Sequence, residues 1–452
     1  MGTFVQYPQG NVVLRNLSKP LPIIVRGEGP YLFDKAGKKY FDASGGALVV
    51  SVGHGNKEVA TKIAAQLSQV GYVNGTQFTS EPTEKLASLL ARYAEPLGLD
   101  RAFFLNSGSE ATEAAIKFAR QLCVERKQEK RTKIIARMPS YHGNTLFALS
   151  ASGRPHYKKY YGPLLSDVLT LATPVEYRYA GSYAESADRF ANEFEDLVKR
   201  EGPDEIFAFI AEPVVGSSAG AALPPPGYFE KIQEICRRYG ILIIADEVMV
   251  GAGRTGKFFA SEWFGLQPDI LTLGKGLNGG YTALSAVLVK QEHVDEMKKG
   301  SGYFMHAQTF MQAPCMTAVG LAVLEYMKEH HVVENSRRVG DYLHKGLHQR
   351  FDSHPNVGFV SGRGLFAGIE FVADKKTGKP FARSEKIVER LVTHALDQGI
   401  TLWPNSGNVN GVDGDLVMLG PPLTITTGQA DELLRILAGA IESFFSGLSA
   451  AR

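Results

Sequence analysis

Six short apolar runs limit what this chain can fold into: "AFFLN", "KIIAR", "FAFIAEPV", "ILIIAD", "DILTL" and "LSAVLV". Continuous apolar runs of this length fit strands covered on both faces, unlike the alternating pattern of a half-exposed sheet. Helical periodicity over 58–71, 82–95 and 109–126 begins the alternation with these runs. The rhythm predicts an α/β fold with a helix-covered, largely parallel sheet.

At 452 residues the chain is long enough for two or three domains. Residues 1–58 include "GPYLFDKAGKKYFDASGG", which reads as strands and turns with a hairpin loop at Asp34 to Gly37. The α/β pattern fills 59–315. From 316 a helix, "MTAVGLAVLEYMKEH", leads to a second at 334–351, a strand in "GLFAGIEFVA" and two further helices. The expectation is a large domain at 59–315 and a smaller one at 316–452 that takes in the N-terminal segment 1–58.

Composition removes several function classes. A net charge of +2 gives no basic field, and no lysine/arginine run interleaved with aromatics marks a nucleic-acid track. Cys123, Cys236 and Cys315 are too far apart for a zinc knuckle or a CxxC pair, and their odd number argues against a disulfide framework. No metal centre is expected. The start, "MGTFVQYPQG", lacks the pattern of a signal peptide, and no later stretch resembles a membrane span, so a cytoplasmic setting is expected.

In a parallel α/β sheet, ligands bind beyond the carboxyl ends of the strands. "ILIIADEV" brings Asp246 there and "DILTLGKGLNGG" brings Lys275, in a turn where glycines permit close approach. "AFFLNSGSEATEAAIKFA" runs through Ser107, Gly108 and Ser109 into a helix. Ser107 to Glu110 spells a capping box, and the free N–H groups at that helix start suit a phosphate. "RMPSYHGN" sets Tyr141 and His142 at another strand end. Taken singly, each has an ordinary structural role: a solvated lysine, a helix cap, packing aromatics. Together, an amine, a carboxylate, a phosphate cradle and an aromatic face match what pyridoxal 5'-phosphate (PLP) requires, namely a nucleophile for its aldehyde and an anion for its pyridine nitrogen.

The motifs "NSGSEA", "YHG", "AEPV", "ADEVMVGAGRTG" and "LGKGLNGGY", in this order, resemble the class III aminotransferases of PLP fold type I. The likeness runs from about residue 25 to the end, and is strongest to the ω-amino acid and amine:pyruvate transaminases. It implies a large αβα domain with a smaller α+β domain, a ping-pong transamination from an amine donor to an oxo acid such as pyruvate, and a homodimer with shared sites. It also implies that Lys275 carries the cofactor as a Schiff base and later moves protons, and that Asp246 pairs with the pyridinium. Val248 and Tyr141 would pack on the two ring faces, Gly108 and Ser109 would bind phosphate, and Glu212 would order the pocket. Thr309 in "HAQTFMQAP" would reach the phosphate of the neighbouring subunit.

The chain also departs from that family's pattern. Met249 stands where many members have a glutamine for the cofactor's phenolic oxygen. Ser361 stands where an arginine often precedes glycine, with Arg363 two places on, and no arginine shortly precedes "PPL" at 421–423. An aliphatic, Leu48, occupies a region where relatives carry an aromatic, which leaves a roomier pocket. Arg254 in "GAGRTG" reads as structural. Rival readings are another class III reaction (epimerase, aminomutase or phospho-lyase), a nucleotide-dependent enzyme, or a non-catalytic binding protein. The nucleotide reading rests on a Walker B-like "ILIIADE" and a GxGxxG match in "GKGLNG", without a P-loop lysine-serine pair or room for a following helix.

Overall fold

The computed structural model describes residues 2–175 and 183–450. All six apolar runs form strands, and with a seventh they make one sheet: β1 (Arg101–Leu105), β2 (Lys133–Met138), β3 (Leu169–Ala172), β4 (Ile206–Ala211), β5 (Leu242–Asp246), β6 (Ile270–Leu273) and β7 (Ser285–Val289). The spatial order is β1-β7-β6-β5-β4-β2-β3. Neighbours are parallel except for β7, which runs antiparallel to both β1 and β6. The sheet is therefore mostly parallel, as the apolar runs predict.

Alternation along the strands divides the core in two, because successive side chains leave a strand on opposite faces. Leu105, Ile134, Ile244 and Val287 join one cluster, with Ala111, Ala114, Ala115 and Ala119 of the Gly108–Glu125 helix. Phe104, Ile135, Ile243, Ala245, Leu271 and Leu288 join the other. The four small helical residues are fully buried and let that helix lie close against the sheet.

The flanking segments form smaller sheets. Ile24–Glu28, Tyr31–Asp34 and Lys39–Asp42 are antiparallel, and Ile400–Thr401 adds parallel to the last. The turn expected at 34–37 is present: Asp34 Oδ1 accepts the N–H groups of Ala36 and Lys38, each at 2.9 Å. Helices Pro314–Glu329 and Val332–Phe351 follow the large sheet, and Ile387–Asp397 and Thr427–Ala450 close the chain. Where the sequence predicts one strand in this region, there is an antiparallel sheet of Val357–Gly362, Ala367–Phe371, Asp415–Leu419 and Trp403–Ser406, in that spatial order. Of the missed strands, Trp403–Ser406 carries polar residues and leads into a turn ("WPNSGNVNGVDGD"), so its apolar signal is weak.

Among the described residues no helix is long and apolar enough to cross a membrane. Cys123, Cys236 and Cys315 are unpaired.

Candidate active site

The register of the large sheet assembles the site. Asp246, the last residue of β5, lies opposite Thr272 of β6, and Lys275 follows three residues beyond. Ala245 pairs with Ala211 of β4, so Glu212 emerges beside Asp246. Tyr141 and His142 follow β2, and Ser107 to Ser109 follow β1. A cavity of about 170 Å³ at these strand ends is lined by Ser107, Gly108, Ser109, Tyr141, His142, Glu212, Asp246, Val248 and Lys275. Nine of the ten residues singled out in the sequence thus share one cavity. The tenth, Thr309, is exposed and does not line it.

Lys275 has a positive φ of 44°, an unusual backbone conformation for a residue with a side chain. It follows Gly274, where an added Cβ would press on Val248 Cγ1 at 3.2 Å. The residue is half-buried and lines the cavity. Burial draws its ammonium down to about 8, against the opposing pull of Asp246 and Glu212. The amine therefore becomes neutral and nucleophilic at lower pH than an ordinary lysine does.

Asp246 is buried and held by three donors or partners. Its Oδ2 lies 2.8 Å from His142 Nδ1, while Oδ1 accepts the Val248 N–H at 3.1 Å and the Thr272 hydroxyl at 3.2 Å. His142 Nε2 is buried without a partner among the described residues, so the ring is positioned from the Asp246 side and by its backbone. The His142 N–H donates to Ser152 Oγ at 2.8 Å, and its carbonyl accepts from Thr112 at 2.7 Å. The adjacent carboxylate has a different task. Glu247 is fully buried and accepts from Ala260 N–H, Ser261 N–H and Ser261 hydroxyl at 2.6–2.8 Å, which pins a neighbouring turn.

Glu212 accepts the Tyr141 N–H at 3.2 Å and the Gly216 N–H at 3.1 Å. Burial pushes its carboxyl above the ordinary range. It ties the loop bearing Tyr141 to the loop after β4, and Arg137 donates to its backbone carbonyl.

The capping box that the sequence spells is present at the start of the Gly108–Glu125 helix. Ser107 Oγ accepts the Glu110 N–H, and Glu110 Oε2 accepts the N–H groups of Ser107 and Asn106 at 3.0 and 2.8 Å. Ser109 Oγ accepts the Asn144 N–H at 2.9 Å and keeps its own proton to donate. Two glycines are required here. A Cβ on Gly108 would lie 2.6 Å from Val248 Cγ1, and one on Gly143, whose φ is +136°, would lie 2.7 Å from Ser109 Oγ. The closed packing at Gly108, the helix N-terminus beside it and the Lys275–Asp246 pair fit a phosphorylated pyridine aldehyde.

Sequence reasoning left Gly143, Val214 and Val250 out of the cavity wall, and they line it together with Met249. The apolar residues are indistinguishable from core by pattern alone. Leu48, with φ 60°, packs in a cluster with Val214, Met249, Val250, Phe366 and Met418 behind that wall. Arg254 is structural, as read: it donates to the carbonyls of Leu365 and Pro421. Arg363 stacks on Trp263 at 4.1 Å and lies outside the cavity lining.

The aminotransferase class-III family model matches residues 13–441. The chain is similar to the uncharacterized aminotransferase YodT of Bacillus subtilis, 39% identical and covering 94% of this chain and 96% of that one. It is 33% identical to the taurine–pyruvate aminotransferase of Rhodobacter capsulatus, over 93% of this chain and 91% of that one. The ω-transaminase of Pseudomonas jessenii, solved in complex with PMP, superposes with a TM-score of 0.90 at 32% identity, covering 98% of both chains. These matches span both the strand ends that build the cavity and the flanking sheets, and the chain belongs to the class III aminotransferases of PLP fold type I.

Proposed function

We propose that this aminotransferase moves the amino group of an ω-amino acid or other non-α amine to an oxo acid such as pyruvate, in a ping-pong sequence, with PLP held at Lys275. The observation that carries the reading is the convergence of Lys275 and Asp246 on one cavity from the ends of adjacent strands. Similarity to the taurine–pyruvate aminotransferase and to ω-transaminases supports the choice of donor and acceptor class.

When bound, PLP supplies an aldehyde that holds the amine nitrogen and a ring that withdraws electrons from the neighbouring carbon. Lys275 Nζ would hold the aldehyde and, once freed by the substrate amine, would be the group placed to move the proton of the substrate carbon. Its depressed affinity for protons suits both tasks. Asp246, fixed by His142, Val248 and Thr272, presents a carboxylate to the pyridine nitrogen. Val248 and Tyr141, both in the cavity wall, would pack against the ring. Ser107, Gly108 and Ser109 would receive the phosphate, and Glu212 holds the Tyr141 loop in place.

The proposal includes a cytoplasmic homodimer and the division into 1–58, 59–315 and 316–452. Pairing of Ile400–Thr401 with Lys39–Asp42 supports grouping the N-terminal segment with the C-terminal region. Tyr72, Phe78, Met305 and Phe310 are large apolar side chains left exposed, and the rings of Tyr72 and Phe310 meet at 5.5 Å. This surface supports a second subunit, which would bring Thr309 of the partner subunit to the phosphate.

The test is spectroscopic. Purified protein loaded with PLP is mixed with an ω-amino acid, an aminosulfonate and an uncharged aryl amine in turn. The expected result is conversion of the cofactor's band to that of pyridoxamine phosphate, reversed by pyruvate with formation of alanine. Inverted, rearranged or dephosphorylated product without pyridoxamine phosphate would instead establish an epimerase, aminomutase or phospho-lyase.

A further inference from the structure

Asp246 takes its partners from three places. Val248 N–H belongs to its own loop and Thr272 to the neighbouring strand β6, whereas His142 follows β2 and reaches it across β4. A ring that crosses an intervening strand from a loop keeps its place only if the loop is held. One helix, Gly108–Glu125, holds it. Ser109 Oγ accepts the Asn144 N–H at 2.9 Å, and the Thr112 hydroxyl donates to the His142 carbonyl at 2.7 Å. Glu113 Oε1 accepts the Thr145 hydroxyl at 2.6 Å and the Phe147 and Ala148 N–H groups at 3.2 Å. Spaced i, i+3 and i+4, these three side chains share one helix face.

Of the three, Thr112 is the one that bonds His142 itself. It is fully buried beside Ala111, Ala114 and Ala115, which are better helix formers. A threonine within a helix commonly returns its hydroxyl to the carbonyl one turn back. This one gives its proton to a different segment, and Ser152 Oγ accepts the His142 N–H at 2.8 Å. Both backbone groups of His142 are thus tied to buried hydroxyls. One turn before Thr112, the same helix begins at Gly108 in the cavity wall. A single rigid element therefore carries both the helix start proposed for the phosphate and the anchor of the ring that orients Asp246. A ligand with an anion at one end and a ring nitrogen at the other needs those two places at a fixed separation.

We propose that Thr112, with Ser152 as its counterpart, is a positioning residue of the transamination site: acting through His142, it sets Asp246 at the distance from the Ser107–Ser109 turn that the cofactor spans. This assignment rests on the functional reading above. Its test titrates full-length protein freed of cofactor with two probes. Pyridoxamine phosphate forms no Schiff base with Lys275 and so reports both ends of the site, whereas inorganic phosphate reports the helix start alone.

Thr112→Val keeps the shape and removes the hydroxyl. Its affinity for pyridoxamine phosphate should fall about fivefold, the scale of one hydrogen bond, while phosphate affinity stays within about twofold of the parent. Thr112→Ser should restore binding. In a His142→Phe background, Thr112→Val should have less than about a twofold effect, because the residue it acts through is gone. Equal pyridoxamine phosphate affinity in parent and Thr112→Val, or an equal loss with and without His142, would overturn the proposal. So would a parallel loss of phosphate affinity, or no rescue by Thr112→Ser. Should either variant fail to fold, Ser152→Ala replaces Thr112→Val and Asp246→Asn replaces His142→Phe, under the same criteria. Parent protein that takes up no pyridoxamine phosphate would instead refute the transaminase reading.

Discussion

The cavity has two walls of opposite character. One is polar and set at strand ends: Lys275, with Asp246, His142, Glu212 and the Ser107–Ser109 turn, the last four held by hydrogen bonds of 2.8 to 3.3 Å. The other is apolar: Val214, Met249 and Val250, backed by Leu48, Phe366 and Met418. Chemistry demands exact atoms in exact places, so the first wall is held by directional bonds. Shape demands only volume, so the second is held by packing. Substitutions should therefore divide sharply between the walls.

The largest effect is expected for Lys275→Ala, which removes the nucleophile. Neither the amine half-reaction nor the pyruvate half-reaction should proceed in stopped-flow absorbance, with PLP held only noncovalently. Asp246→Asn keeps the shape and removes the charge. It should retain cofactor but lose roughly 10²–10³ in kcat/KM, the scale seen when a fixed electrostatic partner is removed. Parent-like kcat/KM in this variant would break the contrast.

Proton dependence comes next. A lysine drawn down to about 8 is mostly charged below that pH and mostly neutral above it. The rate of PLP capture by cofactor-free protein should accordingly rise with pH, roughly a hundredfold from pH 6 to pH 9, and then level off well below the ordinary lysine range. A rise continuing to about pH 10.5 would show that burial does not act on Lys275.

Gly108→Ala tests the cradle: its Cβ would crowd Val248, so PLP affinity should fall about tenfold, from an overpacking cost of 1–3 kcal/mol. The smallest effect belongs to the apolar wall. Met249→Leu conserves volume and should change kcat for a small amine by less than about threefold, at a stability cost below about 1.5 kcal/mol. A hundredfold loss there would mean that the apolar wall takes part in the chemistry.

The polar wall was legible in the sequence because each member sits at a fixed offset from an apolar run or a helix cap. Asp246 ends "ILIIAD", Lys275 follows "DILTL", and Ser107 caps its helix with Glu110. The apolar wall was not, since Val214 and Val250 carry the same pattern as core. Nor does periodicity encode direction: β7 reads like its parallel neighbours and runs the other way. β3 was missed because its half-buried pattern lacks a continuous apolar signal. Thr309 rests on family likeness, and one chain by itself gives it no site to join.

The most direct measurement of the central claim is borohydride reduction of PLP-loaded protein followed by peptide mapping. The account predicts a single phosphopyridoxyl label, on Lys275 of the peptide containing "LGKGLNGGY". Label on a different lysine, or protein that stays colourless and unlabelled in excess PLP, would contradict it.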